Sequence, residues 1–161
     1  MIYDIAVIGA GSGGLTVAAA AAQFGQSVIL FEKGKMGGDC LNYGCVPSKA
    51  LIAASKQAHA MRTAGKYGIE AAAPKVDFKK VHAYVRSVIA AIEPNDSVER
   101  FEKLGVKVVS SAAKFIDATS MEAAGTVYKA KRFVIATGSR AATPPIPGLA
   151  DVPFLTNETI F

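Results

Sequence analysis

Cys40 and Cys45 are the only cysteines in this 161-residue chain, and they stand in the run Gly37-Gly38-Asp39-Cys40-Leu41-Asn42-Tyr43-Gly44-Cys45-Val46-Pro47-Ser48-Lys49. Two thiols so close in sequence suit thiol–disulfide exchange better than stapling. A short closed loop removes little entropy from the unfolded chain, and a domain of this length takes its stability from a core. A pair of thiols cannot complete a tetrahedral zinc site, and neither His59 nor His82 lies at zinc-finger spacing from them. The segment therefore reads as a redox pair with no metal. The alternative is a pair of inert, buried structural cysteines.

A second chemistry is written at the N-terminus. Gly9, Gly11 and Gly14 form G-x-G-x-x-G with Ser12 and Gly13 between them, placed after an apolar run and before an Ala-rich one. In a strand-turn-helix context, the first glycine permits the tight turn and the second lets the backbone approach a pyrophosphate. The third allows close helix-to-strand packing, with the helix N-terminus facing the anion. Glu32 follows Gly14 by 18 residues, at the end of the next apolar run. A carboxylate there accepts hydrogen bonds from ribose hydroxyls and disfavours a 2′-phosphate. The chemistry indicated is dinucleotide binding. A dinucleotide-binding module without redox catalysis, its cysteines structural, is the competing reading.

These residues need elements to hold them. Residues 3–8 predict a buried parallel strand, 14–24 a helix stopped by Gly25, and 27–31 a second strand, together a βαβ unit. A Gly-rich turn over residues 34–38 precedes a helix expected over 48–62. Asp77 caps the next helix, on which Phe78, Val81, Val85, Val88, Ile89 and Ile92 form one apolar face. Pro94 interrupts that helix, and Asp96 with Glu99 predicts a capping box for a short helix ending at Gly105. Strands are expected at 106–109 and 113–116, with a hairpin over 121–128 turning at Gly125 and a last buried strand at 133–137. The fold class is α/β, a Rossmann-like parallel sheet with flanking helices and a small antiparallel β-meander. Residues 1–148 form the expected domain, and 149–161, with the prolines just before them, a linker.

Composition removes several classes. With 51% hydrophobic and 19% charged residues the chain is globular rather than disordered. Its net charge of +5 resides in residues 49–107, which hold eleven bases against six acids. They are spread along helices without interleaved aromatics, so a nucleic-acid partner is not expected. No charge occurs between Asp4 and Glu32, but five glycines break that stretch into strand, turn and helix, which argues against a membrane span and for a cytoplasmic protein. His59 and His82 read as helix-surface residues.

The glycine motif, Glu32, residues 37–49, Ala113-Lys114-Phe115 and Ala136-Thr137-Gly138 together resemble the class I pyridine nucleotide-disulfide oxidoreductases, the family of dihydrolipoamide dehydrogenase, glutathione reductase and mercuric reductase. The resemblance implies FAD, with Gly9, Gly11, Ser12, Gly13 and Gly14 at its pyrophosphate, Glu32 at the adenosine ribose and Ala113 at adenine. Ala136, Thr137 and Gly138 would flank the cofactor, with Lys33, Gly38 and Asp39 among its contacts. Cys40 is then the interchange thiol, Cys45 the thiol against the flavin, and Lys49 a cation near the flavin's reactive edge. The implied reaction carries electrons from NAD(P)H through FAD and the Cys40–Cys45 disulfide to a small-molecule disulfide or a metal ion. The family's nicotinamide fingerprint and interface region are absent, so the chain reads as the N-terminal FAD part of a longer, homodimeric enzyme. It is expected to hold FAD weakly and to turn over negligibly by itself. Asp39 and Tyr43 depart from the family's usual small residues beside the thiols; a carboxylate at 39 disfavours the Cys40 thiolate.

Overall fold

Strand β1 (Ile2–Ile8) lies in the middle of a six-stranded sheet, between β2 (Val28–Phe31) and β6 (Thr126–Ile135), and is parallel to both. The sheet continues outward through β3 (Val106–Val109), parallel to β2, on one side. On the other side β5 (Ser120–Ala123) and β4 (Ala113–Asp117) follow as an antiparallel meander, giving the order β3-β2-β1-β6-β5-β4. This computed structural model describes residues 1–161. They form two compact units, Met1–Asn42 with Ile92–Arg140, which contains the whole sheet, and Tyr43–Ala91 with Ala141–Phe161.

The central strands are apolar on both faces, as a covered parallel sheet requires. Val7, Val28, Leu30, Val106 and Val108 join Leu15, Ala18 and Ala21 of helix α1 (Ser12–Gln23) and Phe101 of helix α5 (Val98–Lys103) in one core. Alternate residues Ala6, Ile29, Phe31 and Val109 face the other way, where Met121, Ala123 and Ala130 of the meander complete a second core. Burying each large side chain such as Ile29, Leu30 or Phe31 contributes roughly 1.5–3 kcal/mol. The small alanines let α1 lie close to the sheet. It ends at Gln23, and Gly25, at φ +74°, turns the chain back while its N–H donates to the Ala22 carbonyl.

In the unit that holds the sheet, three elements differ from the sequence expectation. The hairpin strand and the last buried strand are one: β6 pairs antiparallel with β5 over Thr126–Lys129 and parallel with β1 over Lys129–Ile135. The alternation that looked like two short strands is one ten-residue strand serving two neighbours. Helix α5 is capped by Ser97, whose Oγ accepts from the Arg100 N–H at 3.2 Å, while Asp96 closes the 3-10 turn Glu93–Asp96 instead. Residues 38–42 form a further short helix, α2 (Gly38–Asn42), between the expected Gly-rich turn and the helix expected over 48–62.

In the second unit α3 (Cys45–Thr63) begins at the second cysteine, ahead of the expected start, and passes into a 3-10 turn, Ala64–Tyr67, ended by Gly68 at φ +75°. Helix α4 (Phe78–Ile92) follows Asp77, whose carboxylate accepts from the N–H groups of Lys79 and Lys80 at 3.0 and 3.3 Å, the expected cap. On its apolar face Val85 is buried and Val81, Val88, Ile89 and Ile92 are half-buried. Phe78, expected among them, is exposed and packs edge-on to His82. No helix is long and apolar enough to cross a membrane.

Candidate functional site

The turn between β1 and α1 separates its glycines into two kinds. Gly9 adopts φ +104°, and a Cβ there would run into the Ala136 carbonyl; a Cβ at Gly14 would run into the Gly9 carbonyl. Those two are demanded by packing. A Cβ at Gly13 would meet nothing within 4 Å, and one at Gly11 only the Gly38 Cα at 3.9 Å. Their missing side chains clear space over the N-terminus of α1, where Gly11 is the cap residue and no side chain caps the helix. First-turn N–H groups without intrahelical partners, under open space, suit a phosphate.

Glu32 leaves the end of β2 and is held from two sides. Its Oε2 accepts from the Ala10 N–H at 2.6 Å and its Oε1 from the Gly34 N–H at 2.7 Å. Each carboxylate oxygen keeps a lone pair for a further donor, so ribose hydroxyls can bind without displacing the clamp. Beside it lies a cavity of about 240 Å³ lined by Ile8, Gly9, Phe31, Glu32, Lys33, Ser111, Ala112, Ala113 and Thr137. Apolar walls, backbone at 111–113 and a carboxylate at one end form a slot for a planar base and its sugar. The residues present thus fit a dinucleotide: pyrophosphate at the cleared helix terminus, adenosine in the slot. Ala136 extends β6, its N–H donating to the Ile8 carbonyl at 2.8 Å, and Gly138 turns at φ +72°.

The thiol segment begins against the same loop. Gly37 and Gly38, at φ +84° and +56°, bring the chain to Gly11, and a Cβ at Gly38 would meet the Gly11 Cα at 2.5 Å. Cys40 follows on α2, half-exposed, in a cleft of about 460 Å³ that also takes in Ser12, Leu15, Gly37, Asp96, Arg100 and Phe101. Asp39 is exposed in the first turn of α2. Cys45 and Lys49 belong to the second unit, one turn apart on α3 and both exposed.

Of the residues singled out in sequence, the structure brings Gly9, Glu32, Lys33, Ala113 and Thr137 into one cavity and sets Gly11 against Gly38. Ser12 and Cys40 share the second cleft. Sequence reasoning missed Ser111 and Ala112, which line the cavity beside Glu32, and Asp96 and Arg100, which line the Cys40 cleft. The first pair could have been found from their place just after strand 106–109. The second pair carries no local signal.

Comparison with known proteins agrees with this geometry. A family model described as pyridine nucleotide-disulphide oxidoreductase matches residues 3–160. A mercuric reductase from Streptomyces lividans is 37% identical, the match covering 98% of this chain and 34% of the relative. A dihydrolipoyl dehydrogenase from Geobacillus stearothermophilus is 40% identical over 86% of this chain and 30% of the relative. Among solved structures, the Cu(II) complex of the HOCl-induced flavoprotein disulfide reductase RclA from Escherichia coli superposes with a TM-score of 0.73 at 25% identity, covering 93% of this chain and 31% of that one. The chain spans about a third of the length of these relatives.

Proposed function

The chain belongs to the pyridine nucleotide-disulphide oxidoreductase family, and from that premise we propose that it is an FAD-binding, thiol-bearing part of a flavin-dependent disulfide or metal-ion reductase. The observation that carries this reading is the cavity that gathers Gly9, Glu32, Lys33, Ala113 and Thr137 beside the cleared N-terminus of α1. In this reading the α1 terminus and Ser12, outside that cavity, hold the pyrophosphate, while within it Glu32 holds the ribose and the 111–113 backbone the adenine. Bound FAD supplies the two-electron chemistry that side chains lack.

The chain's own groups do the rest. A Cys40–Cys45 disulfide that takes up two electrons becomes a dithiol. The Cys40 thiolate then attacks one sulfur of an acceptor disulfide lodged in the cleft it shares with Arg100 and Phe101, expelling the first product thiolate. Cys45 attacks the Cys40 sulfur of the mixed disulfide, expels the second product thiolate and restores the starting bond. Lys49, one turn from Cys45 on the same helix, would stand near the flavin's reactive edge as a cation. The exposure of Cys45 speaks against the structural-cysteine alternative, since structural thiols are buried and inert.

Electron supply from NAD(P)H, a homodimeric assembly and a cytoplasmic location are proposed for the whole protein. Residues 1–148 serve as the FAD domain and 149–161 as the segment leading toward a nicotinamide-binding region. Titrating the 161-residue chain with FAD and reducing it mildly tests the site. Flavin retention with a long-wavelength absorbance band that disappears in Cys45→Ser, flavin still bound, is the expected result; no FAD binding at any concentration would overturn the reading.

A further inference from the structure

We propose that Ala10 is a mechanical link between the nucleotide site and the interchange thiol, with Asn42 and Gly38 as the positioning residues that make Cys40 follow the glycine loop. This rests on the dinucleotide reading above and goes beyond it. The Ala10 residue is gripped at both ends: its N–H donates to Glu32 Oε2 at 2.6 Å, and its carbonyl accepts from the Gly37 N–H at 2.9 Å. Its neighbour Gly11 lies against Gly38, where no side chain fits. The turn so anchored is tied in turn to α2 by Asn42, whose Nδ2 donates to the Met36 carbonyl at 3.0 Å and to the Gly38 carbonyl at 2.9 Å. Cys40 is the third residue of this short helix.

A helix of five residues has too few internal hydrogen bonds to hold itself. Its position comes from these anchors and from its buried Leu41. Any displacement of α2 must break the Ala10–Gly37 bond, lift Gly38 off Gly11, or drag the loop along. A nucleotide whose phosphates occupy the α1 terminus and whose ribose sits on Glu32 fixes Ala10 from the far side, and so restrains the excursions through which a half-buried thiol reacts. The two sites are coupled, and Asn42 carries the coupling into the helix.

ADP is the probe, since it fills the adenosine and pyrophosphate positions and has no ring to cover a thiol. In the full chain carrying Cys45→Ser, saturating ADP, with its binding measured separately by titration, is expected to slow iodoacetamide alkylation of Cys40 by about fivefold or more. In Cys45→Ser with Asn42→Ala, ADP still binds but the slowing falls below about twofold, because the helix no longer follows the loop. ADP that binds and leaves the alkylation rate of Cys45→Ser unchanged overturns the proposal alone. Equal slowing in the Asn42→Ala chain also overturns it, since that is direct shielding. ADP that does not bind removes the nucleotide reading and the proposal with it. If Asn42→Ala does not fold, amide exchange at Gly37 in the Cys45→Ser chain decides: protection raised by ADP supports the link, and unchanged protection sinks it.

Discussion

Gly14 and Gly13 are adjacent, yet the structure gives them opposite reasons to be glycine. A Cβ at Gly14 would press on the Gly9 carbonyl, and neither backbone can yield without moving β1 from α1. Gly14→Ala is therefore expected to cost about 3 kcal/mol or more, the upper range for overpacking. Gly13 has open space around the added atom, and alanine is the better helix former, so Gly13→Ala leaves the empty chain as stable or about 0.5 kcal/mol more so. In the proposed site the methyl would stand where the phosphates bind, and FAD affinity is expected to fall roughly tenfold, a loss of about 1.4 kcal/mol of binding. Urea unfolding and FAD titration of the two variants check this; a destabilised Gly13→Ala that binds FAD normally would reverse the assignment. The motif told where the glycines were and what they would serve, and Gly9, Gly14 and Glu32 took up the expected places. It did not say that Gly38 would close on Gly11 or that Glu32 would hold Ala10, because both contacts join segments more than twenty residues apart in sequence.

Among the elements, the strands and helices with a strong apolar period were legible before any coordinates: β1, α1, β2, β3 and α4 lie within a residue or two of their expected spans. Those set by their neighbours were not. β6 reads as two pieces because its burial pattern follows β5 at one end and β1 at the other, and α2 is too short to show a period. At α5 two oxygens compete for one cap. Asp96 with Glu99 has the spacing of a capping box, but residue 97 is the one with extended backbone, φ −73° and ψ 155°, and Ser97 Oγ reaches the Arg100 N–H. Ser97→Ala is accordingly expected to cost about 1 kcal/mol. Asp96→Ala should cost less than half of that, because it removes no cap. Since α5 contributes buried Phe101 to the main core, the loss registers in global unfolding and not only as fraying. A larger effect at Asp96 than at Ser97 in thermal melts would restore the capping box.

For the molecule as a whole, the ion pair of Lys131 with Asp4, at 2.7 Å, ties neighbouring strands of the sheet together. It closes the end of the sheet remote from the glycine turn. Asp4 is the third residue of β1, its Oδ2 accepts from the Ser27 N–H and Oγ–H just ahead of β2, and Lys131 reaches it from β6. The Lys131 hydrogen bond first, and those from Ser27 next, hold the Asp4 carboxyl well below the usual carboxylate range. Asp117, bonded by the Thr119 N–H and hydroxyl, is displaced in the same direction. A depressed acid stabilises the fold above its unfolded pKa of about 3.9, and the contribution drains away as pH falls through that value toward the lower folded one. Wild type should therefore have a higher urea midpoint than Asp4→Asn at pH 6. The gap should narrow steadily below about pH 4 and close in strong acid, while the shallower decline owed to Asp117 persists in both. Because the clamp spans three neighbouring strands, Asp4→Asn should also loosen the N-terminal end of β1 without disturbing the glycine turn at its other end, leaving FAD affinity at pH 6 within about twofold of wild type. A midpoint gap that stays constant from pH 6 to pH 2 would show that Asp4 acts through shape rather than charge.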